Sequence, residues 1–196
     1  MKCILASASP RRKELLEQIG MEFEIVPARG EETIHTSNPE EAVLELSCRK
    51  AKEVANQRAR EALPELIIGA DTVVAWEGEI LGKPKDEADA YRMLSLLQGK
   101  KHKVYTGVTL LIRDGECENI HSFYEETEVL MYPMSEEERR WYIGTKESFD
   151  KAGGYAIQGR CAVFVKEIRG DYNNVVGLPV ARIYQELQKL AICQKT

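Results

Sequence analysis

Long apolar runs are absent from this sequence. No stretch of its 196 residues approaches the roughly 18 uninterrupted apolar residues that a membrane-spanning helix requires. The first residues also lack the apolar core of a secretory signal peptide. We therefore expect a cytoplasmic protein with no membrane partner.

The sequence also lacks an excess of positive charge. Its 27 Lys and Arg residues are outnumbered by 32 Asp and Glu residues, which gives a formal net charge of −5. Proteins that bind nucleic acid through the phosphate backbone depend on a surplus of Lys and Arg. The charge balance argues against a nucleic-acid partner, so any recognition of phosphate has to be local.

Metal-binding cysteine motifs are missing as well. Five cysteines are scattered along the chain without a CxxC pair and without a histidine at ligand spacing, which excludes the common zinc patterns. An odd number of dispersed cysteines indicates free thiols in a reducing compartment.

What is present is enough apolar material for one globular domain over residues 1–196, since 43% of the residues are hydrophobic. Asp114-Gly115 is a favoured hairpin turn and predicts an antiparallel strand pair around it. Helices alternate with strands, which predicts a mixed α/β fold with a partly antiparallel sheet. The periodicity predicts helices over 10–20, 38–63, 86–97, 136–143 and 179–190, and strands over 2–6, 23–26, 66–76, 103–113, 123–132 and 162–168.

The segment SASPRR at 7–12 lies at the first strand-to-helix turn, with Ser9 as N-cap and Pro10 at the first helical position. Arg11 and Arg12 in the first turn oppose the helix dipole. A bound anion would resolve that conflict, because amides, serine hydroxyls and guanidinium groups all bind phosphate oxygens. A solvated basic turn explains the segment equally well.

Asp71 interrupts an otherwise apolar strand. Burying an unpaired carboxylate costs several kcal/mol, so Asp71 must be paired, metal-bound or at the open end of its strand. The alternative to a functional role is a structural aspartate bonded to a neighbouring loop.

Three other charged residues are candidates on weaker grounds. Lys83, in the turn 82–84, can present an ammonium group, although turn lysines are usually solvated. Lys50 lies near apolar helix positions, where a surface lysine with a packed stem is the simpler explanation. Glu32, in the loop 28–37, can supply a carboxylate to Mg²⁺, although an exposed acidic loop is commoner.

Two glycine-containing segments complete the candidates. Residues 153–159 contain three glycines and Gln158, which suits either close approach of the backbone to a planar ligand or an ordinary turn. An ordinary connector is one explanation of residues 170–179, which are rich in Asn and Gly. The sequence has no GxSxG, Walker or GxGxxG motif, and none of its three histidines is indicated as the base of a nucleophile.

In order along the chain, SASPRR, GADT at 69–72, LGKP at 81–84, KAGGYAIQG at 151–159 and GDYNNVVGLP at 170–179 resemble the motifs of the Maf family of nucleoside triphosphate pyrophosphatases. The resemblance implies an elongated mixed sheet flanked by helices, similar to inosine triphosphate pyrophosphatase, with two lobes around a cleft. It implies hydrolysis of the α–β phosphate bond to a nucleoside monophosphate and pyrophosphate. It also implies a Mg²⁺ or Mn²⁺ requirement and a homodimer.

Carried onto this sequence, the resemblance places the general base on Asp71 and associates the metal with Glu32 and Asp71. It assigns Lys50 and Lys83 to catalytic positions that bind the phosphates. The other phosphate-binding positions are Ser7, Ser9 and Arg12.

Three positions that differ between branches of the family are Arg11, Thr72 and Gln158 here, which resembles the branch acting on dTTP and UTP. The branch acting on 7-methyl-GTP tends to have Trp, Gln and Glu there. Neutral Thr72 and Gln158 can donate to and accept from a uracil-type edge. Modified pyrimidine triphosphates would fit too. Gly154 stands where many members have Ala, a change with no implied catalytic effect.

Three rival functions stay open at this point. One is a nucleotide-binding regulator of septum formation and cell division, which would need the phosphate site but not Asp71. A second is a 7-methyl-GTP pyrophosphatase. A third, RNA binding through the basic turn, is disfavoured by the net charge of −5.

Overall fold

A mixed sheet forms the centre of the protein in a computed structural model that describes residues 1–58, 64–115 and 117–190. Its seven strands among these residues are β1 (Lys2–Leu5), β2 (Glu24–Ile25), β3 (Glu65–Trp76), β4 (Glu79–Leu81), β5 (Lys101–Asp114), β6 (Cys117–Met131) and β7 (Val165–Arg169). The helices are α1 (Pro10–Gln18), α2 (Pro39–Gln57), α3 (Glu87–Leu97), α4 (Glu136–Gly144), α5 (Tyr172–Val176) and α6 (Val180–Lys189).

The strands follow the order β2-β1-β3-β5-β6-β7, and β4 also pairs with β3. β1 runs parallel to both of its neighbours, whereas β3–β4, β3–β5, β5–β6 and β6–β7 are antiparallel. The mixed α/β prediction and the antiparallel pair around Asp114-Gly115 are therefore confirmed. No helix within the described ranges is long and apolar enough to cross a membrane.

The edge of β3 opposite β5 has a gap. β5 pairs with β3 from Glu65 to Ala75, so β1 and β4 share the other edge. On that edge β1 reaches only to Ile68, whose carbonyl also accepts the Ala6 N–H at 2.9 Å, and β4 begins at Val74. Residues 69–73 have no strand partner there within the described chain. The gap separates a lobe built on β1 from a lobe built on β4.

Both faces of the central strands β1 and β3 are buried. Neighbouring residues of β1 illustrate this, because Leu5 packs in a cluster with α1 and α6, whereas Ile4 packs against α2. A third cluster joins α3 and α4 to the far ends of β3 to β6. The continuous apolar run at the start of the chain is therefore a strand covered on both sides.

Helix α2 touches the sheet at two glycines. A Cβ atom added to Gly69 would lie 2.2 Å from the Ser47 carbonyl oxygen, and one added to Gly107 would lie 2.2 Å from the Val43 carbonyl oxygen. Gly107 is the cross-strand partner of Asp71. The absence of side chains at these two positions lets the α2 backbone approach the strand that contains Asp71.

The predicted helix over 38–63 was too long. It is capped by Asn38 as expected, but α2 ends at Gln57, and residues 59–63 lie outside the described ranges. Arg58 leaves the helical conformation, with φ −109° and ψ 137°. Its guanidinium group pairs with Glu65 and Glu24, which explains why the helix stops there.

Two predictions near the C-terminus were also wrong. The strand predicted over 162–168 begins at Val165, because residues 160–164 form a 3-10 helix. The segment 170–179 is no simple connector, since it contains α5. The Asp171 side chain caps this helix by accepting the Asn173 N–H at 2.8 Å, and Gly177 ends it with φ +125°.

Two smaller differences concern strands. β4 was not predicted, and β6 begins at Cys117 rather than 123, because the polar residues 117–122 complete the hairpin with β5. The helix over 136–143 is confirmed, with both hydrogen bonds of the capping box between Ser135 and Glu138.

Candidate active site

A cleft with a volume of about 540 Å³ lies at the gap in the β3 edge. The first turn of α1 lines it from one lobe, and the turn at 82–83 after β4 lines it from the other. Every site residue predicted from the sequence is among its lining residues: Ser7, Ser9, Arg11, Arg12, Glu32, Lys50, Asp71, Thr72, Lys83 and Gln158.

The SASPRR turn follows the end of β1, with Pro10 at the start of α1 as predicted. Ser9 occupies the N-cap position, but its side chain makes no capping hydrogen bond. Its backbone N–H donates to the Ser7 hydroxyl at 3.2 Å. The N-terminal amides of α1 therefore lack the serine cap that the sequence predicts. These amides lie at the helix end that attracts anions.

Arg12 is buried, with 9% of its surface exposed, and three hydrogen bonds fix its guanidinium group. Nε donates to the Gly177 carbonyl at 2.8 Å, and the terminal nitrogens donate to Ser7 at 3.2 Å and Thr72 at 3.1 Å. Burial lowers the pKa of Arg12 from its usual value, and the charge of Asp71 opposes that change. Arg12 thus connects the SASPRR turn to the segment 170–179.

Two lysines and two carboxylates form a connected cluster in the cleft. Lys50 Nζ lies 2.5 Å from Asp71 Oδ1 and 2.7 Å from Glu32 Oε1. Lys83 Nζ lies 2.7 Å from the other Glu32 oxygen, Oε2. Asp71 is 7% exposed and lies inside β3. The sequence allowed a paired carboxylate or one at the open end of a strand, and in the structure Asp71 is paired.

The electrostatics of Glu32 follow from this pairing. Partial burial acts to raise its pKa, but the hydrogen bonds and charges of Lys50 and Lys83 outweigh that effect and lower the pKa to about 2. Glu32 is therefore ionised throughout the neutral range. Through Glu32, the loop 28–37 contacts Lys50 of α2 and Lys83 of the LGKP turn, and these contacts make the loop part of the cleft.

Arg11 and Gln158 line the cleft with more exposed side chains. The guanidinium group of Arg11 pairs with Asp150 at 3.5 Å, and Asp150 also pairs with Lys151. Gln158 is exposed and follows the glycine-rich segment. That segment is attached to the LGKP turn by a hydrogen bond from the Gly153 N–H to the Gly82 carbonyl at 3.0 Å.

The histidines take no part in the cluster. His102 is buried, and its Nε2 lies 2.7 Å from the hydroxyl of Tyr155, which lines the cleft. Burial lowers the pKa of His102 to about 4, so this side chain is neutral at physiological pH. Its contact with Tyr155 steadies the glycine-rich segment.

The donor set of the cluster suits a hard divalent cation. No group of three or more potential ligands from His, Cys, Asp and Glu occurs within the described ranges. Asp71 and Glu32 nevertheless converge on one position, since both contact Lys50 Nζ. Mg²⁺ is commonly bound by one or two carboxylates, with waters and substrate phosphates completing its shell. The residues present therefore fit Mg²⁺ or Mn²⁺.

Sequence reasoning missed three residues behind Thr72 and Arg12. Thr106 contacts Thr72, Asn174 contacts Thr106, and the Gly177 carbonyl accepts from Arg12. One signal was available, because Thr106 is a polar residue inside the apolar strand β5, as Asp71 is in β3. The signal for Asn174 and Gly177 was hidden in a segment that resembles an ordinary loop.

The chain matches the family described as Maf-like protein over residues 2–190. It is 59% identical to a dTTP/UTP pyrophosphatase of Agathobacter rectalis, across 96% of this chain and 97% of that relative. It is 52% identical to a dTTP/UTP pyrophosphatase of Carboxydothermus hydrogenoformans, across 96% and 98%. A dTTP/UTP pyrophosphatase of Bacillus cereus strain ZK is 48% identical, across 97% and 96%.

Solved structures are more distant. A nucleoside-triphosphatase / dITP/XTP pyrophosphatase from Mycobacterium abscessus gives a TM-score of 0.37 at 19% identity, across 66% of this chain and 74% of that one. The Ham1 protein of Staphylococcus aureus gives a TM-score of 0.43 at 12% identity, across 67% and 72%.

Proposed function

Because the chain belongs to the Maf-like protein family, we propose that it is a nucleoside triphosphate pyrophosphatase acting on dTTP and UTP. It would hydrolyse the α–β phosphate bond to give a nucleoside monophosphate and pyrophosphate, as a housecleaning enzyme of the nucleotide pool. Relatives named dTTP/UTP pyrophosphatase at 48% to 59% identity support the substrate. The observation that carries the proposal is the convergence of Asp71, Lys50, Lys83 and Arg12 in one cleft.

The first turn of α1 is where we place the triphosphate chain. Phosphoryl transfer depends mainly on positioning and on stabilising charge, with little covalent work for the protein. Arg12 and Ser7 supply donors from one lobe, and Lys83 supplies an ammonium group from the other. A triphosphate spanning the cleft would therefore be held from both sides of the gap in β3.

Asp71 is the residue that we assign as general base. Its Oδ1 accepts the hydrogen bond from Lys50, and Oδ2 is the oxygen that we assign to the attacking water. Orientation of that water by a fixed carboxylate would place it in line with the scissile bond. Proton transfer of this kind typically contributes about 10²- to 10⁴-fold to the rate.

Glu32 and Asp71 are the residues that would hold the divalent cation, Mg²⁺ or Mn²⁺. When bound, the cation would neutralise phosphate charge and acidify a coordinated water. Lys50 contacts both carboxylates and keeps them together.

Base recognition we assign to the exposed rim of the cleft, where Arg11 and Gln158 lie. The neutral amide of Gln158 can donate to and accept from the edge of uracil or thymine, including modified pyrimidines. A guanine derivative would be served better by the carboxylate of the other family branch.

A single domain over 1–196, a homodimer and a cytoplasmic location remain part of the proposal. One sheet connects the described elements, which supports the single domain. The net charge of −5 continues to argue against a nucleic-acid partner.

The test is pyrophosphate release from dTTP, UTP, CTP and 7-methyl-GTP with Mg²⁺. We expect dTTP and UTP to be hydrolysed with the highest kcat/KM. Dominant hydrolysis of 7-methyl-GTP would overturn the pyrimidine assignment and leave the chemistry intact. Binding of all four without turnover would refute the hydrolase and favour the septum regulator.

A further inference from the structure

Three hydrogen bonds in series connect Arg12 to the backbone of α5. A terminal nitrogen of Arg12 donates to Thr72 Oγ1 at 3.1 Å, and Thr72 Oγ1 lies 2.9 Å from Thr106 Oγ1. Thr106 Oγ1 donates to the Asn174 carbonyl at 3.0 Å. Thr106 and Asn174 are fully buried, so water does not replace these partners.

The direction of the middle bond can be deduced from hydrogen counting. A hydroxyl group has one hydrogen, a carbonyl oxygen only accepts, and a guanidinium group only donates. The Thr106 hydroxyl donates its one hydrogen to the Asn174 carbonyl, so Thr72 must donate to Thr106. All three bonds therefore run the same way, from Arg12 towards Asn174.

This direction constrains Thr72. Its hydroxyl hydrogen is committed to Thr106 and is not available to a nucleobase, contrary to the donor role that the sequence suggested. We propose that Thr72 and Thr106 are positioning residues that fix the Arg12 guanidinium group for the substrate phosphates. The inference rests on the proposed function, in that the cleft is taken to bind a triphosphate.

The remaining contacts of Arg12 support this role. Of its five N–H groups, the described residues engage one at Nε and one at each terminal nitrogen, which leaves two for a ligand. A side chain at position 177 would be strained, at φ +125°, and its Cβ would lie 3.5 Å from Thr72 Oγ1. A guanidinium group held in advance loses less freedom when it binds phosphate.

The variants that test the proposal are Thr106→Val, which keeps the volume and removes the hydroxyl, and Thr106→Ser, which keeps the hydroxyl. Thr109→Val is the matched control, because Thr109 is equally buried in β5 but bonds to Ser47 and Ser122 on the opposite face. The readouts are the Kd of inorganic tripolyphosphate by calorimetry and the kcat and KM of UTP, dTTP and CTP.

We expect Thr106→Val to weaken tripolyphosphate binding by about 2- to 13-fold, the equivalent of the roughly 0.5–1.5 kcal/mol that one neutral hydrogen bond contributes. KM should rise by the same factor for all three nucleotides, so that the preference for UTP over CTP is unchanged. Thr106→Ser should restore binding, and Thr109→Val should not weaken it. In an Arg12→Ala background, Thr106→Val should cause no further loss.

Equal tripolyphosphate affinity of Thr106→Val and wild type would overturn the proposal, as would a changed UTP to CTP ratio with unchanged tripolyphosphate binding. If Thr106→Val does not fold, Thr72→Val at its half-buried position gives the same readouts. A wild-type protein that binds tripolyphosphate but hydrolyses no nucleotide would refute the proposed function alone. The role of Thr72 and Thr106 would still be tested by the tripolyphosphate affinities.

Discussion

At the scale of single residues, Lys50 is the central ion-pairing residue of the cleft. Its ammonium group contacts both Asp71 and Glu32, and Glu32 also contacts Lys83. Two cations and two carboxylates balance one another, which leaves Arg12 as the buried charge without a carboxylate in contact among the described residues. A triphosphate that binds the two ammonium groups must therefore compete with Glu32 and Asp71 for them.

Asp71→Asn should lower kcat by about 10²- to 10⁴-fold, because the amide cannot take a proton from water. Steady-state pyrophosphate release measures the change. Glu65→Gln is the matched control, since Glu65 is a buried acid of the same strand, 2.6 Å from Arg113 and outside the cleft. We expect that control to lower stability and spare kcat. A loss under about tenfold for Asp71→Asn, or 1.4 kcal/mol, would contradict the assignment.

The ionisation of Glu32 predicts how stability depends on pH. Its pKa is about 2 in the folded protein and near the usual 4.5 when unfolded, so its ionic contacts stabilise the fold above pH 4.5. That contribution is lost as the pH falls from 4.5 towards 2. The difference in unfolding free energy between wild type and Glu32→Gln should therefore shrink between pH 5 and pH 3.

Urea unfolding at a series of pH values measures this difference. Glu31→Gln serves as the control, because its exposed carboxylate is the sequence neighbour of Glu32 and has no ion pair with Lys50 or Lys83. A Glu32→Gln difference that stays constant over this range would show that the lysine contacts do not set the pKa.

The residues of the cleft were largely predictable, but their connections were not. Asp71 stood out because a carboxylate in an apolar strand demands a partner. Lys50 did not, since on the residues alone a surface lysine with a packed stem is the simpler explanation of its position. The series of hydrogen bonds from Arg12 through Thr72 and Thr106 to Asn174 depends on which groups from β3, β5 and α5 meet, and that is decided by strand register rather than by local sequence.

At the scale of secondary-structure elements, the seating of α2 on Gly69 and Gly107 decides the geometry of Lys50. Gly69→Ala would place a Cβ 2.2 Å from the Ser47 carbonyl oxygen, so α2 must shift. We expect a loss of about 1–3 kcal/mol in the free energy of unfolding, as for other overpacked cores. Activity should fall too, because Lys50 moves away from Asp71.

Urea denaturation and pyrophosphate release measure the two effects. Gly144→Ala in α4 is the control, since an added Cβ there meets nothing within 4 Å. Unchanged stability and activity of Gly69→Ala would mean that α2 is not held by this contact.

Elements with strong local signals were predicted well. The N-cap at Asn38 and the capping box at Ser135 mark the starts of α2 and α4 correctly. The end of α2 was missed, because Arg58 leaves the helix for ion pairs with distant glutamates. The strand predicted from 162 was shortened because its first residues adopt 3-10 geometry, which branched side chains do not forecast.

At the scale of the whole molecule, a triphosphate would connect the two lobes. In the Asp71→Asn variant, UTP at about 100 times its Kd should stabilise the fold by about 2.7 kcal/mol. For a chain of this length that corresponds to a rise in Tm of roughly 5–10 °C. Thermal unfolding with UTP measures the shift.

Uridine at the same concentration is the control ligand, because it lacks the phosphates that Arg12 and Lys83 would bind. We expect little stabilisation from it. Equal shifts from uridine and UTP would show that the phosphates do not bridge the cleft.

The architecture as a whole was predictable as mixed α/β, and the seven-stranded sheet bears this out. The location of the cleft was not. The cleft lies where β1 stops pairing with β3 at Ile68 and β4 starts pairing with it at Val74. No single segment of the sequence predicts both of these limits.

The gap in the β3 edge has a consequence for how inhibitors would bind to variants whose substrate preference has changed by mutation. The Ile68 carbonyl faces the β1 side, so by strand alternation the main-chain groups of Thr72, which lines the cleft, face the opening. Point mutations change side chains and leave main-chain donors and acceptors in place. A compound that hydrogen-bonds to this stretch of backbone would therefore still bind to variants whose rim residues had changed to accept other bases.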